Sequence, residues 1–188
     1  MTGRMTAFVV VMGCAWMAQG QWPQWRGEGR DGAVTGGARK GKWPAAPELV
    51  WEREVGEGYS GPVVVGDRVW VHARRGEKEL VSSLRLGKGE VIWSAEYESP
   101  FQQESVARQH GRGPFSTPAL FEGRLFTFSI TSVLTAWDAA AGKMLWKRES
   151  AREFAAAYPY FGAASSPLAW GGMVFVHLGG DDRNSPGQ

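Results

Sequence analysis

One pattern of short strands and tight turns recurs along this chain, and the recurrence limits the folds that it can adopt. Each unit opens with a small residue and a proline that lead into a strand, a tight turn and a second strand. The three openings are Gly61-Pro62, Thr117-Pro118 and Ser166-Pro167. An apolar pair followed by tryptophan also occurs three times, as Leu49-Val50-Trp51, Val91-Ile92-Trp93 and Met144-Leu145-Trp146. A sheet with two apolar faces cannot bury both alone, so such units must stack.

Alternating β-branched and aromatic residues between glycine turns indicate antiparallel strands. The first unit is predicted to hold strands at 61–65, 69–73, 80–86 and 91–97, and the second at 117–121, 125–130, 133–138 and 144–149. The third unit, 166–188, holds only two strands, and 49–54 is an orphan outer strand. Repeated four-stranded sheets are typical of β-propeller blades. The predicted fold is all-β: an incomplete β-propeller of four-stranded antiparallel blades, with about two and a half blades plus the orphan outer strand.

The N-terminus has the composition of a secretory signal. An apolar run from Ala7 to Met17 follows a short segment whose one charged side chain is Arg4, and Ala18-Gln19-Gly20 suits signal peptidase. We predict a cleaved signal peptide over 1–20, an irregular segment over 21–47 and the partial propeller over 48–188. The run is too short to span a bilayer as a helix. The predicted location is therefore periplasmic or extracellular.

Cys14 is the one cysteine of the chain, and it lies inside the predicted signal. Disulfides are therefore not expected in the mature protein. The stretch Val11-Met12-Gly13-Cys14 resembles a lipobox, so lipidation at Cys14 and a membrane-anchored lipoprotein form an open alternative. The formal net charge of +2 is too small to indicate a nucleic-acid partner.

Several motifs resemble the family of PQQ-type (pyrroloquinoline-quinone-type) β-propellers. The segment from Trp137-Asp138-Ala139 through Gly142-Lys143 to Trp146 is similar to its repeat signature, although the first unit has Arg85 where the second has Asp138. Trp22-Pro23-Gln24-Trp25-Arg26-Gly27 resembles the opening of an exported branch, and so does the segment 108–114. Relatives of the family include quinoprotein alcohol dehydrogenases and the propeller lipoprotein of the outer-membrane barrel-assembly machine. The resemblance implies that Trp51, Trp93 and Trp146 dock between neighbouring blades.

Unit spacing predicts one elaborated face. The proline-to-tryptophan distance within a unit varies little, whereas the connections between units are long, at Ser94 to Ser116 and Lys147 to Ser165. These connections share one rim of an antiparallel propeller, and long loops on one face commonly form a binding face. The candidate ligand or partner residues on them are Arg108, His110, Arg112, Tyr158 and Tyr160. A solvated loop that only covers the rim is the alternative.

The function expected from these features is non-catalytic binding or scaffolding of a protein, an unknown small ligand or a glycan. His72 and His177 occupy the strand position that holds Phe128 in the second unit, which indicates packing. No catalytic, cofactor-binding or metal residue is predicted, and no cofactor is expected. The alternative is part of a PQQ-dependent quinoprotein dehydrogenase, with PQQ and calcium. Such enzymes use an asparagine and often vicinal cysteines, whereas this chain has Asn184 alone and no cysteine after Cys14.

The unit count also leads to an expectation about length. Propellers have at least four blades, so we expect this chain to be an N-terminal fragment: either the natural protein continues beyond Gln188 with the remaining blades, or this is a truncated gene product. With unpaired strand edges, the isolated chain is expected to aggregate or to depend on partner chains.

Overall fold

The computed structural model describes residues 21–34, 45–103, 105–154, 159 and 161–178, and the backbone alone at 7–13 and 106. Its strands are β1 Ala7–Gly13, β2 Glu48–Gly56, β3 Val63–Val65, β4 Arg68–Arg75, β5 Lys78–Arg85, β6 Val91–Glu98, β7 Ala119–Phe121, β8 Arg124–Phe128, β9 Val133–Asp138, β10 Met144–Glu149, β11 Leu168–Trp170 and β12 Met173–Phe175. A 3-10 helix, Ser105–His110, and one short α-helix, α1 Ser150–Glu153, lie in the loops.

The strands form two complete four-stranded sheets of the same topology. β3 to β6 form blade 1 and β7 to β10 form blade 2, each an antiparallel meander in chain order. β11 and β12 pair as half of a third blade. The bounds agree with the predicted units to within a few residues, and the all-β, incomplete propeller predicted from the sequence is confirmed.

The predicted orphan strand is β2, and in the structure it pairs antiparallel with β1. β1 belongs to the apolar run for which a signal peptide is predicted. Cleavage before Gln21 stays a prediction. Lipidation also stays a prediction, because Cys14 lies outside the described residues.

The hydrophobic core is divided among the blade interfaces. Alternate residues of a strand point to opposite faces, so each blade presents one apolar face to each neighbour. Val55, Val69 and Leu84 pack between β2 and blade 1. The cluster between blades 1 and 2 consists of Val63, Trp70, Val81, Tyr97, Leu125, Val133, Trp137 and Ala139.

Two tryptophans repeat one contact between neighbouring blades. Trp51 of β2 lies on Gly89 in the β5–β6 turn and donates its indole N–H to the Leu86 carbonyl at 2.6 Å. Trp93 of β6 lies on Gly142 in the β9–β10 turn and donates to a carbonyl of that turn, at Ala139, at 3.1 Å. The outer strands β2 and β6 therefore each dock on a glycine turn of the next blade.

Trp146 occupies the equivalent position on β10 and has a different environment. Its ring packs beside Phe126 of the same blade at a centroid distance of 6.0 Å, and 36% of the residue is exposed. A turn equivalent to the ones that receive Trp51 and Trp93 is not present for it among the described residues, which end at Leu178.

The small residues before the repeated prolines connect the inner strands. Gly61 donates its backbone N–H to the Thr117 hydroxyl at 3.1 Å, and Thr117 donates its own N–H to the Ser166 hydroxyl at 3.0 Å. These bonds run from unit to unit at the edge where β3, β7 and β11 converge. The small-residue-proline motif thus places a hydrogen-bond relay at the inner edge of the propeller.

Residues 22–30, which we call the N-terminal strap, cross the same inner edge. Trp22 forms a bridge with Val64 of β3, and the Pro23 carbonyl accepts the N–H of Leu120 in β7 at 2.7 Å. The Arg30 guanidinium then reaches the carbonyl of Pro167, just before β11, at 3.1 Å. The strap therefore bonds to three consecutive units.

Candidate functional site

The loops from β6 to β7 and from β10 to β11 lie at the rim opposite the glycine turns of the tryptophan contacts. They meet where the His110 ring contacts the Phe161 ring edge-on, with centroids 5.2 Å apart. Blade 1 adds its β4–β5 turn, which includes Gly76 and Glu77, to this rim. We call this rim the long-loop face.

The β6–β7 loop is held by internal bonds. The Gln103 amide donates to the carbonyls of Ala107 and Gly111 at 2.6 and 2.5 Å, which closes the loop around the 3-10 helix. Tyr59 donates its N–H to the Pro114 carbonyl at 2.9 Å, and its ring stacks on Phe115 at 5.1 Å. The loop is thus held in place by bonds within the protein.

An open pocket of about 930 Å³ lies in this face. Its lining is mostly polar and contains two arginines and one carboxylate. The lining residues are Glu77, Pro100, Phe101, Gln102, Gln103, Arg108 and Arg112. Such a combination suits a ligand with acidic or hydrogen-bonding groups.

Glu77 and Arg112 form an ion pair across the pocket floor. Arg112 also donates to the Phe101 carbonyl at 3.1 Å, and the Phe101 N–H donates to the Glu77 carboxylate at 3.3 Å. Arg74 approaches the same carboxylate at 3.4 Å. The hydrogen bond from Arg112, followed by smaller contributions from the Phe101 N–H and the charge of Arg74, holds the pKa of Glu77 below its ordinary value.

A buried polar network lies below the pocket, between blades 1 and 2. Glu79 is its centre and is inaccessible to solvent. One carboxylate oxygen lies 2.8 Å from His72 Nε2 and accepts the Tyr97 hydroxyl at 2.9 Å. The other accepts the backbone N–H of Ile130, in blade 2, at 3.1 Å. Arg74 lies 3.7 Å from this second oxygen.

Burial and charge act in opposite directions in this network. Burial alone would raise the pKa of Glu79, but the charge of His72 and the hydrogen bonds from His72, Ile130 and Tyr97 outweigh it and lower that pKa. Burial, reinforced by the adjacent Glu79 carboxylate, raises the pKa of Tyr97 well above its ordinary value. Burial also lowers the pKa of Arg74, which the charge of Glu79 partly offsets. The site therefore favours an ionised Glu79 with a neutral Tyr97.

The sequence-predicted residues fall in different places. Arg108 and Arg112 line the pocket. His110 ends the 3-10 helix and lies beside Phe161. Tyr158 and Tyr160 lie outside the described residues. His72 is buried in the network, with Glu79 as a charged partner.

Sequence reasoning missed Glu77, Glu79, Arg74 and Tyr97. The alternation of side chains along a strand could have indicated them, because Arg74 lies two residues after His72 and therefore on the same face. The register then sets Glu79 opposite both Arg74 and Tyr97. An acidic residue on the inward parity of a central strand calls for a partner on the adjacent strands.

The described residues contain no candidate metal centre and no candidate membrane-spanning helix. Within those ranges, no three His, Cys, Asp or Glu side chains come together in a way that could hold a metal ion. No helix there is long and apolar enough to cross a membrane.

The model of the PQQ_2 family, described as "Outer membrane protein assembly factor BamB", matches residues 77–184, more than half of the chain. No curated protein matches.

Solved structures also match, each with partial coverage. A europium-containing methanol dehydrogenase is 26% identical, with 65% of this chain and 20% of that chain covered and a TM-score of 0.47. BamB from Moraxella catarrhalis is 14% identical, with 67% and 32% covered and a TM-score of 0.43. Quinohemoprotein alcohol dehydrogenase from Comamonas testosteroni is 23% identical, with 66% and 17% covered and a TM-score of 0.46. This chain spans a third or less of each of them. The family match, together with the repeated blades, shows that the chain belongs to the family of PQQ-type propeller repeats.

Proposed function

We propose that this chain is a non-catalytic binding or scaffold module of an exported PQQ-like propeller, which holds a partner protein at its long-loop face. The observation that carries the proposal is the open pocket with Arg108, Arg112 and Glu77 in its lining. Its size is in the range of small-ligand sites, but it is polar and open, which favours a polar protein segment over an enclosed cofactor. The family match to an assembly factor supports a protein partner.

The charged groups of this face also support a binding role. Glu77 is already engaged by Arg112 and Arg74, and Glu79 by His72 and Tyr97. Both carboxylates are therefore held by donors of the protein rather than left as free general bases. The site offers arginine donors and side-chain amides, which are recognition groups.

The dehydrogenase alternative would need residues for PQQ and calcium. Calcium takes six or more oxygen ligands in proteins, and the described acidic side chains do not gather into such a set. At the inner edge of the blades, the N-terminal strap already bonds to β3 and β7. The bonds of the strap at this edge support the binding role over the cofactor role, and we derive no step through the cofactor.

The experiment is partner capture with matched double variants. Arg108→Ala with Arg112→Ala removes both pocket cations, and Lys88→Ala with Arg124→Ala removes two exposed cations from the opposite rim. We expect the pocket variant to lose partners that the wild type and the control retain. Unchanged capture by the pocket variant would exclude this face as the interface. Incubation with PQQ and calcium is the second arm, and a quinone spectrum with dye-linked alcohol oxidation would overturn the non-catalytic assignment.

A further inference from the structure

The two arginines of the pocket differ in how they are compensated. Arg108 is exposed on the 3-10 helix, and none of the described side chains forms an ion pair with it. Arg112 is 36% exposed and is engaged by Glu77 and the Phe101 carbonyl. Its buried Nε atom has no hydrogen-bond partner in the part of the chain that the structure describes. Among the described residues, one guanidinium thus has no ion-pair partner, and the other retains an unused donor.

Glu77 holds the position that an incoming carboxylate would take on Arg112. It reaches from the β4–β5 turn to a residue 35 positions further along the chain. Its side chain is 53% exposed, so it does not depend on Arg112 to offset burial. Releasing the Glu77 carboxylate to water would therefore carry a small cost.

The charged groups that Glu77 would leave behind remain compensated. Arg74 would keep Glu79 at 3.7 Å and would keep donating to the carbonyls of Ser99 and Gly76 at 2.7 and 2.8 Å. Arg112 would keep the Phe101 carbonyl. Exchange of the carboxylate on Arg112 thus leaves no buried charge without a partner.

We infer that the pocket recognises carboxylate side chains of an acidic peptide segment, and that Glu77 acts as an internal competitor for Arg112. This inference rests on the proposed function of the long-loop face and specifies its partner. An arginine can bind a carboxylate through two N–H groups, and Nε is one donor of that fork. Arg108 supplies a second point of attraction, so a segment with several acidic residues fits better than a single carboxylate.

If Glu77 competes for Arg112, removing the charge of Glu77 should strengthen binding, and a basic patch without a competitor would not show this gain. Changing Glu77→Gln removes the competing charge while keeping the side chain's shape, so a basic pocket that is normally masked becomes available. Because the masked pair is largely exposed, we expect hexaglutamate to bind about two- to fivefold more tightly. Glu96→Gln is the matched control, since it removes a half-exposed carboxylate that pairs with Lys78 on the outer strands of blade 1.

The experiment titrates fluorescent hexaglutamate into the full chain and follows anisotropy at low and at high salt. Wild type, Glu77→Gln, Glu96→Gln, Arg112→Lys and the Arg108→Ala with Arg112→Ala double variant are compared. We expect Glu96→Gln to match wild type, and Arg112→Lys to weaken binding because lysine cannot form the two-pronged contact. The double variant should weaken binding about tenfold or more, and salt should weaken binding throughout. Circular dichroism of each variant confirms that it is folded.

Each contrary outcome has a distinct meaning. Equal or weaker hexaglutamate binding by a folded Glu77→Gln variant would overturn the competitor role. Inorganic phosphate displacing the peptide at equal concentration would indicate a general anion site and overturn the peptide assignment, and tight hexalysine binding would do the same. If hexaglutamate binds none of the variants but partner capture still requires Arg108 and Arg112, the inference fails and the proposed function stands. If capture is also unaffected, both fail.

Discussion

A single buried carboxylate organises the contact between blades 1 and 2. Glu79 receives donors from two strands of its own blade and the Ile130 N–H from the neighbour. A buried ion is costly unless its lone pairs are satisfied, and here both oxygens have hydrogen-bond partners. At the scale of the residue, the contact is therefore specific in geometry in a way that apolar packing alone is not.

Replacing Glu79→Gln removes this charge and keeps its volume. The variant leaves His72 and Arg74 buried without their carboxylate, so we expect the free energy of unfolding to fall by about 3 kcal/mol. Urea denaturation followed by tryptophan fluorescence measures the change. Glu96→Gln should cost much less, because solvent screens its exposed pair with Lys78. Equal losses of unfolding free energy in the two variants would show that the buried network stabilises the fold no more than the exposed pair does.

A comparison of wild type with Glu79→Gln also tests how stability depends on pH. The folded-state pKa of Glu79 is depressed below its ordinary value of 4.5, so its stabilising contribution is complete above that value. The contribution is lost as the pH falls through the lowered folded-state pKa, because the unfolded chain takes up the proton first. Wild type should therefore lose thermal stability below pH 4.5 more steeply than Glu79→Gln. Parallel curves would contradict this assignment.

The residues of the site divide into those that sequence reasoning can find and those that it cannot. Arg108 and Arg112 stand out because they lie in a long connection between recognisable units. Glu77 stays hidden because its partner Arg112 is 35 positions away, and only the fold brings the turn and the loop together. His72 exchanges with Phe128 in the repeat, and this similarity conceals a polar role that depends on the register with Glu79.

At the scale of the element, the turns between third and fourth strands carry the repeat signature. Asp138 accepts the N–H groups of Ala140 and Ala141 at 2.9 and 2.8 Å, which fixes the turn in blade 2. Blade 1 has Arg85 at this position, yet Gly89 still donates its N–H to the Arg85 carbonyl, as Gly142 does to the Asp138 carbonyl. The backbone turn survives the loss of its side-chain acceptor.

Gly142 and Gly123 form a matched test of why the turn uses glycine. Both have left-handed φ angles, of 71° and 74°, but a Cβ at Gly142 would overlap the Trp93 ring whereas one at Gly123 meets open space. Gly123→Ala should cost about 1 kcal/mol, which is the backbone penalty alone. Gly142→Ala should cost about 1 to 3 kcal/mol more, because the Trp93 ring must move. Chemical denaturation measures both, and equal costs would exclude a docking role for this glycine.

At the scale of the whole molecule, the sequence predicted the blades because its signals are local and repeated. Period-two alternation and glycine turns locate each strand within a few residues, and the register of three units excludes chance. The N-terminal strap was beyond such reasoning: nothing in Trp22 or Pro23 indicates the edges of β3 and β7 as their partners. Contacts between non-repeated and repeated segments leave no periodic trace.

The half blade β11–β12 presents several large exposed apolar residues. Trp170 is 67% exposed and Met173 is 53% exposed, and within the described ranges β12 pairs with β11 alone. An apolar sheet with an open edge promotes association. Trp170→Ser with Met173→Ser should lower the associated fraction of the purified chain several-fold, as measured by light scattering. Trp25→Ser, at another exposed tryptophan, is the control and should leave association unchanged. An equal fall of the associated fraction in that control would exclude the half blade as the surface of association.

The tryptophan contacts between blades have an evolutionary consequence. In each contact, the outer strand of one unit supplies a tryptophan ring, and the glycine turn of the next unit receives it. The two pairs are Trp51 with Gly89 and Trp93 with Gly142. The two sides of this contact are different, and every unit can contain both of them. Copying one unit in the gene therefore copies both sides in the correct order. Tandem duplication can then lengthen the array, and deletion can shorten it, without new interfaces having to be selected.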